Sequence, residues 1–344
     1  MDAAPRKKRE ETEVHMRSVR LLMALAFLFP SVCATQQVAA SAASLRFRED
    51  GTFRIVQFAD VHWSWGFGKD WQSLRLMGAV LDIERPDLVV YTGDNITGRA
   101  PLAYRALRQL TAPCAERGIP WAAVFGNHDD EGYAGRQRQM ELMRMLPHCL
   151  ASAGPPDVDG VSNYVLVVGA SQAPDSPAAL LYFIDSLGYM EYQGERKYNY
   201  IQPSQIAWYK NESGRFLERN VGRPLPAIAF FHIPLPEYRL AWESANVVGV
   251  KQEEVADSPV NSGLFAAFKE MGDVMAAFVG HDHVNDYIGE VDGIYLGYGR
   301  GTGYGTYGKE GFPRGARVIE IIEGRRQIRT WLRLEGGVQE IQIP

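Results

Sequence analysis

The stretch Phe53-Arg54-Ile55-Val56-Gln57-Phe58-Ala59-Asp60-Val61-His62 carries a β-rich run straight into a carboxylate and an imidazole. Two later stretches repeat the arrangement. Leu88 to Thr92 is a short apolar run followed by Gly93-Asp94-Asn95, and Trp121 to Phe125 is followed by Gly126-Asn127-His128-Asp129. Between these runs the pattern is helical. Asp70 to Glu84 reads as a helix that stops at Arg85-Pro86, as expected ahead of proline. Pro101 to Arg117 reads as a second helix with Gly118 as its C-cap. A strand, crossover helix and returning parallel strand take roughly 30 residues. The spacing of the three polar motifs therefore fits consecutive parallel strands, whose carboxyl ends are where ligands collect in open α/β sheets.

The remainder extends the same logic. Glu131 to Leu146 reads as a helix, Asn163 to Val168 and Leu180 to Ser186 as strands, and Ser204 to Arg219 as a helix. Ala227 to Phe231 is a strand delivering His232, and Val274 to Val279 one delivering Gly280-His281-Asp282-His283. Ala316 to Ile322 and Gln327 to Leu334 alternate apolar and polar residues across a Gly-containing link, which predicts a β-hairpin. The sum is one α/β domain over 51–344 with two sheets packed face to face. At 46% apolar and 22% charged residues, the chain can bury a sizeable core. A net charge of −5 argues against a general nucleic-acid binder.

The N-terminus differs in composition. Arg6-Lys7-Lys8-Arg9, Arg17 and Arg20 precede the apolar run Leu21 to Phe29, and Val32-Cys33-Ala34 supplies small residues for a cleavage site. Residues 1–34 therefore read as a secretory signal, with 35–50 as a linker. The run is short of the roughly 20 apolar residues of a membrane span, so the expectation is a secreted or vacuolar protein without stable membrane insertion. A signal anchor, or a nuclear-localisation patch within Pro5 to Glu10, are the alternatives. Cys114 and Cys149 remain as a pair, either one disulfide or two buried thiols. Of two glycosylation sequons, Asn95-Ile96-Thr97 falls within a polar motif and should be inaccessible. Asn211-Glu212-Ser213 is placed near a helix end as the acceptor.

Five of the seven histidines lie in the polar motifs. Carboxylate, imidazole and amide oxygen are the ligand types favoured by Zn, Mn and Fe ions. Asp60 and His62, and again His281 and His283, are two residues apart, so each pair can reach one ion. Asp94 is a short carboxylate able to bridge two cations. Asn127 adds a ligand oxygen without charge. Two such ions can clamp a phosphoryl group and generate hydroxide near neutral pH for in-line attack. His128, next to a ligand, can face the substrate as a general acid, with Asp129 or Asp130 holding its tautomer. A lone Asp-x-His is usually a surface feature, and a lone Asn-His-Asp is often a turn. Five blocks in one order, each after a strand, point jointly to a two-metal site.

Asp-x-His, Gly-Asp-Asn, Gly-Asn-His-Asp, His and Gly-His-Asp-His resemble the motifs of the calcineurin-like metallophosphoesterase superfamily. Phe231-His232-Ile233-Pro234-Leu235-Pro236-Glu237-Tyr238 and Gly280 to Asp286 resemble its purple-acid-phosphatase-like branch, and Tyr298 to Gly308 and Arg314 to Val318 extend the likeness. Over about residues 50 to 330, the resemblance implies a four-layer α/β/β/α sandwich of two mixed sheets. It implies a binuclear centre with Asp60, His62, Asp94 and His283 on one ion and Asp94, Asn127, His232 and His281 on the other. It also implies His128 as the acid, with a small phosphomonoester or a phosphoprotein as substrate. Thr97 stands where purple members place a tyrosinate on iron, and His62 stands where they lack a histidine. A colourless protein is therefore expected. A phosphodiesterase or nucleotide pyrophosphatase, and a catalytically silent interaction module, are the competing readings.

Overall fold

The computed structural model describes residues 45–98 and 102–343. The signal expected over 1–34 lies outside the described residues. In chain order the elements are β1 (Thr52–Phe58), α1 (Lys69–Glu84), β2 (Leu88–Thr92), α2 (Ala103–Leu110), α3 (Ala112–Arg117), β3 (Trp121–Val124), α4 (Arg136–Met143), β4 (Tyr164–Gly169), β5 (Pro177–Phe183), β6 (Tyr189–Tyr192) and β7 (Glu195–Tyr198). There follow α5 (Pro203–Arg219), β8 (Ala227–Phe230), α6 (Tyr238–Glu243), α7 (Leu264–Met271), β9 (Val274–Val279), β10 (Ile288–Val291), β11 (Ile294–Tyr298), β12 (Gly315–Ile322), β13 (Ile328–Leu334) and β14 (Gln339–Ile343).

Two six-stranded sheets carry the fold, ordered β14-β13-β12-β1-β2-β3 and β10-β11-β9-β8-β5-β4. In the first, β1, β2 and β3 run parallel while β12 pairs antiparallel to β1; in the second, β5, β8, β9 and β11 run parallel. Both sheets are therefore mixed. The parallel strands β2, β3, β8 and β9 are buried at every position, as sheets covered on both faces require.

Side-chain alternation in the second sheet shows the layering. Leu181, Phe183, Ile228, Phe230, Ala276 and Phe278 join the core shared with the first sheet, α1 and α2. Their neighbours Leu180, Tyr182, Ala229, Ala277 and Val279 join a separate core with α5, α6 and α7. Period-two alternation sends successive residues to opposite faces, so the order is helices, sheet, sheet, helices.

Several expectations are corrected. The helix read over 101–117 is two helices meeting at Thr111, where Pro113 occupies the first turn of α3 and lacks an N–H to continue α2. The helix read over 131–146 is confined to α4. The linker drawn over 35–50 overreaches: Leu45 and Phe47 are buried, and the Phe47 N–H bonds Gly169 O. Cys114 and Cys149 are free thiols, and burial pushes both up to about 12. Asn211 sits in the body of α5 with Ser213 buried, not at a helix end, so the sequon is not presented on a loop. Asn95 is buried, as expected. No helix among the described residues is long and apolar enough to cross a membrane.

Candidate metal centre

Every polar motif follows the carboxyl end of a parallel strand: Asp60 and His62 after β1, Asp94 after β2, Asn127 and His128 after β3, His232 after β8, and His281 and His283 after β9. Three come from one sheet and two from the other, so the site lies where the two sheets' strand ends meet. The backbone there is unusual. Asp60, His62, Asp94 and His281 have φ of 55°, 49°, 48° and 77°. Non-glycine residues seldom occupy this left-handed region, and those that do collect at functional sites. The turns let each strand end bend its side chain inward. They need glycine beside them: a Cβ on Gly93 would lie 2.6 Å from His232 Nδ1, and one on Gly126 would overlap Asp94 Oδ1 and the Asp94 N–H nitrogen.

Donor atoms of Asp60, His62, Asp94 and His283 lie within 4.8 Å of one another, as do those of Asp94, His232 and His281. All seven proposed ligands are buried. His62 Nε2 is 3.3 Å from His283 Nε2 and 3.4 Å from Asp94 Oδ2. His283 Nε2 is 3.4 Å from Asp60 Oδ1. In the second group, His232 Nε2 is 3.4 Å from Asp94 Oδ2, 3.2 Å from His281 Nδ1 and 3.1 Å from Asn127 Oδ1. Asp94 belongs to both groups.

These spacings fit cations. Ligand atoms held about 2.0–2.2 Å from a tetrahedral ion stand roughly 3.4 Å apart. His232 Nδ1 donates to Thr92 O at 2.8 Å, which turns Nε2 toward the cluster. Thr306 Oγ1 lies 3.0 Å from His283 Nδ1 and plays the same part there. His281 Nε2 is buried without a hydrogen-bond partner, so Nδ1 is the nitrogen turned to the group.

The electrostatics suit the same reading. Burial holds His62 down to about 4 and His281 down to about 3, so both are neutral ligands at pH 7. Burial opposes the ionised form of Asp94, yet His232, His62 and His128 together hold its carboxyl well below the usual range. Burial likewise lowers His232, but the Asp94 and Asp60 carboxylates outweigh it and raise the imidazole to about 9. His128 is half-buried with its ring 5.3 Å from that of His62.

One expectation is corrected. Asp129, read as a catalytic residue holding the His128 tautomer, does not touch the His128 ring, whose partner is Glu131. Its carboxylate accepts the N–H groups of Asn95, Ile96 and Gly126 at 2.8–3.0 Å and the Asn95 amide at 3.2 Å. It ties the Asp94 turn to the Asn127 turn. Asp130 instead faces Arg136 at 3.2 Å. The partner of His128 is Glu131, 2.8 Å from Nδ1. The sequence reading also missed Tyr189, whose hydroxyl accepts from Asn127 Nδ2 at 2.9 Å, and Tyr198, which packs edge-to-face on His281 at 4.5 Å. A signal for both was present: Tyr-x-x-Tyr, Gln193-Gly194, then a strand ending in Tyr198. Trp63 is core, whereas Trp65 and Phe67 line a surface hollow of about 160 Å³ with Leu102 and Arg105.

The description of calcineurin-like phosphoesterases matches residues 53–285, which contain all seven ligand positions. The chain belongs to the calcineurin-like phosphoesterase family. Within it, the chain is 38% identical over 328 residues to "Probable inactive purple acid phosphatase 28" of Arabidopsis thaliana, covering 85% of this chain and 82% of that protein. It is 35% identical over 368 residues to "Probable inactive purple acid phosphatase 29" of the same plant, covering 96% and 93%. It is 35% identical over 352 residues to "Phosphatase DCR2" of Saccharomyces cerevisiae, covering 92% of this chain and 59% of the yeast protein. Among solved structures, a dimetal phosphatase from Danio rerio superposes with a TM-score of 0.54 at 14% identity, covering 85% of this chain and 98% of that one, which shows the shared fold. The calcineurin-like phosphoesterase fold thus accounts for the two mixed sheets, and its clustered Asp and His side chains can hold two metal ions.

Proposed function

We propose that the chain is a binuclear phosphomonoesterase. The observation that carries the reading is Asp94: one buried carboxylate shared by two complete donor groups. Asp60, His62, Asp94 and His283 hold the first ion, and Asp94, Asn127, His232 and His281 the second. Zn, Mn or Fe suits this mixed oxygen and nitrogen set. When bound, such a pair polarises a phosphoryl oxygen and lowers the pKa of water. The chain's own residues do the rest. Asp60 also accepts the His281 N–H at 3.0 Å, and Asp94 the His128 N–H at 2.8 Å, so the two carboxylates fix the loops that flank the cleft. Burial lowers His128, but Asp94 and Glu131 outweigh it and raise the imidazole above its ordinary value. Glu131 holds Nδ1 and leaves Nε2 to give its proton to the leaving oxygen as the P–O bond breaks. Thr97, at the tyrosinate position of purple relatives, offers no phenolate, so the ion-loaded protein is colourless.

Relatives named as inactive make activity the point to test. The ion-loaded protein, given phosphomonoesters and phosphodiesters side by side, should hydrolyse the monoesters faster, and His128→Ala should lower kcat by about 10²–10⁴-fold. Ion-loaded protein that cleaves neither ester class, or diesters alone, overturns the proposal.

A further inference from the structure

Two segments outside the sandwich sheets reach the ligands, one toward each ion. Toward the first ion, the loop between β11 and β12 places Thr306 on His283 Nδ1 and stacks the Tyr307 ring on the His283 ring at 4.0 Å. Toward the second, β6 and β7 form a hairpin of their own. Its link, Gln193-Gly194, has positive φ at both residues, the combination that a two-residue turn matching strand twist demands. This turn sets Tyr189 directly opposite Tyr198 in the register. The two rings stack at 5.5 Å, and the Arg196 guanidinium lies 3.6 Å from the centre of the Tyr189 ring. Both tyrosines then point at ligands of one ion: Tyr189 at the Asn127 amide, Tyr198 at the His281 ring.

We propose that the β6–β7 hairpin is the positioning element of the second ion's site, with Tyr189 acting on the Asn127 amide; this rests on the two-ion reading above. A neutral amide is the weakest electrostatic ligand in the set, and its NH₂ end is a donor that repels a cation. Asn127 serves only while Nδ2 has an acceptor elsewhere and Oδ1 faces His232. The Tyr189 hydroxyl is that acceptor. Its ring is held by Tyr198 and Arg196, so the hydroxyl is placed before any ion arrives. Partners one step beyond the ligands typically change metal affinity 10–100-fold. The hairpin buries no residue of either core, so changes there spare the fold.

The test is calorimetric titration of ion-free protein with Zn²⁺, first on the wild type, which must bind two ions. Tyr189→Phe is then made in two backgrounds. His62→Ala cripples the first site, and His281→Ala the second. In the His62→Ala background, Tyr189→Phe should weaken the remaining ion by about 10–100-fold. In the His281→Ala background the remaining ion should bind as before. Thermal melts of the ion-free variants should coincide. Equal effects in the two backgrounds, or none in either, overturn the hairpin's role while leaving the two-ion reading intact. A wild type that binds no Zn²⁺ overturns both.

Discussion

At the scale of single residues, the site depends on side chains that are absent as much as on those present. Gly126 has no room for a Cβ, because the Asp94 carboxylate and backbone occupy that space. Gly126→Ala should therefore displace the shared ligand and weaken both ions by at least 100-fold, about 2.7 kcal/mol each; titration with Zn²⁺ checks this, and unchanged affinities would count against Asp94 as the bridge. That these carboxylates and imidazoles cluster was readable in the sequence because each follows a strand. Roles one step further out were not. Asp129 and Glu131 are both acidic and both close to His128 in sequence, and only the turn decides between them. The chain turns after Asn127 so that Asp129 points back at the N–H groups of Asn95 and Ile96, leaving His128 to Glu131. Sequence spacing carries no record of that turn.

Among elements, the parallel strands were the most readable, since β2, β3, β8 and β9 are uniformly apolar runs ending in polar motifs. Element ends and short antiparallel pieces were harder. α2 and α3 share one amphipathic pattern, and only Pro113 divides them. β6, β7 and β14 are exposed or half-exposed at nearly every position, so no apolar periodicity marks them. One interaction between elements was invisible beforehand. Arg317 on β12 is fully buried, and burial pushes its guanidinium down to about 10. It donates to Tyr298 O at the end of β11, to Asp286 O, to Thr330 on β13 and to Gln342 on β14. It thereby joins the first sheet to the second just behind the His281 and His283 loop. Arg317→Met keeps the apolar stem and removes every donor. It should cost about 3 kcal/mol or more, because Tyr298 O, Asp286 O, Thr330 and Gln342 each lose a charged donor in a dry interior. A denaturant midpoint equal to that of the wild type would show that the bridge carries no weight.

For the whole molecule, the arrangement converts a sandwich into a vise for charge. The two sheets share one apolar core between them, and the strand ends of both are left to present carboxylates and imidazoles to a shared gap. Without an ion, buried Asp94 depends on the protonated His232 imidazole for its counter-charge, since buried charge needs a partner. The same set of side chains becomes mutually favourable around two ions. The central claim is therefore a stoichiometry. Elemental analysis of wild-type protein dialysed after loading should find two equivalents of transition metal per chain, and Asp94→Ala should retain neither. Wild-type protein without bound metal, or Asp94→Ala that keeps both equivalents, would contradict the account.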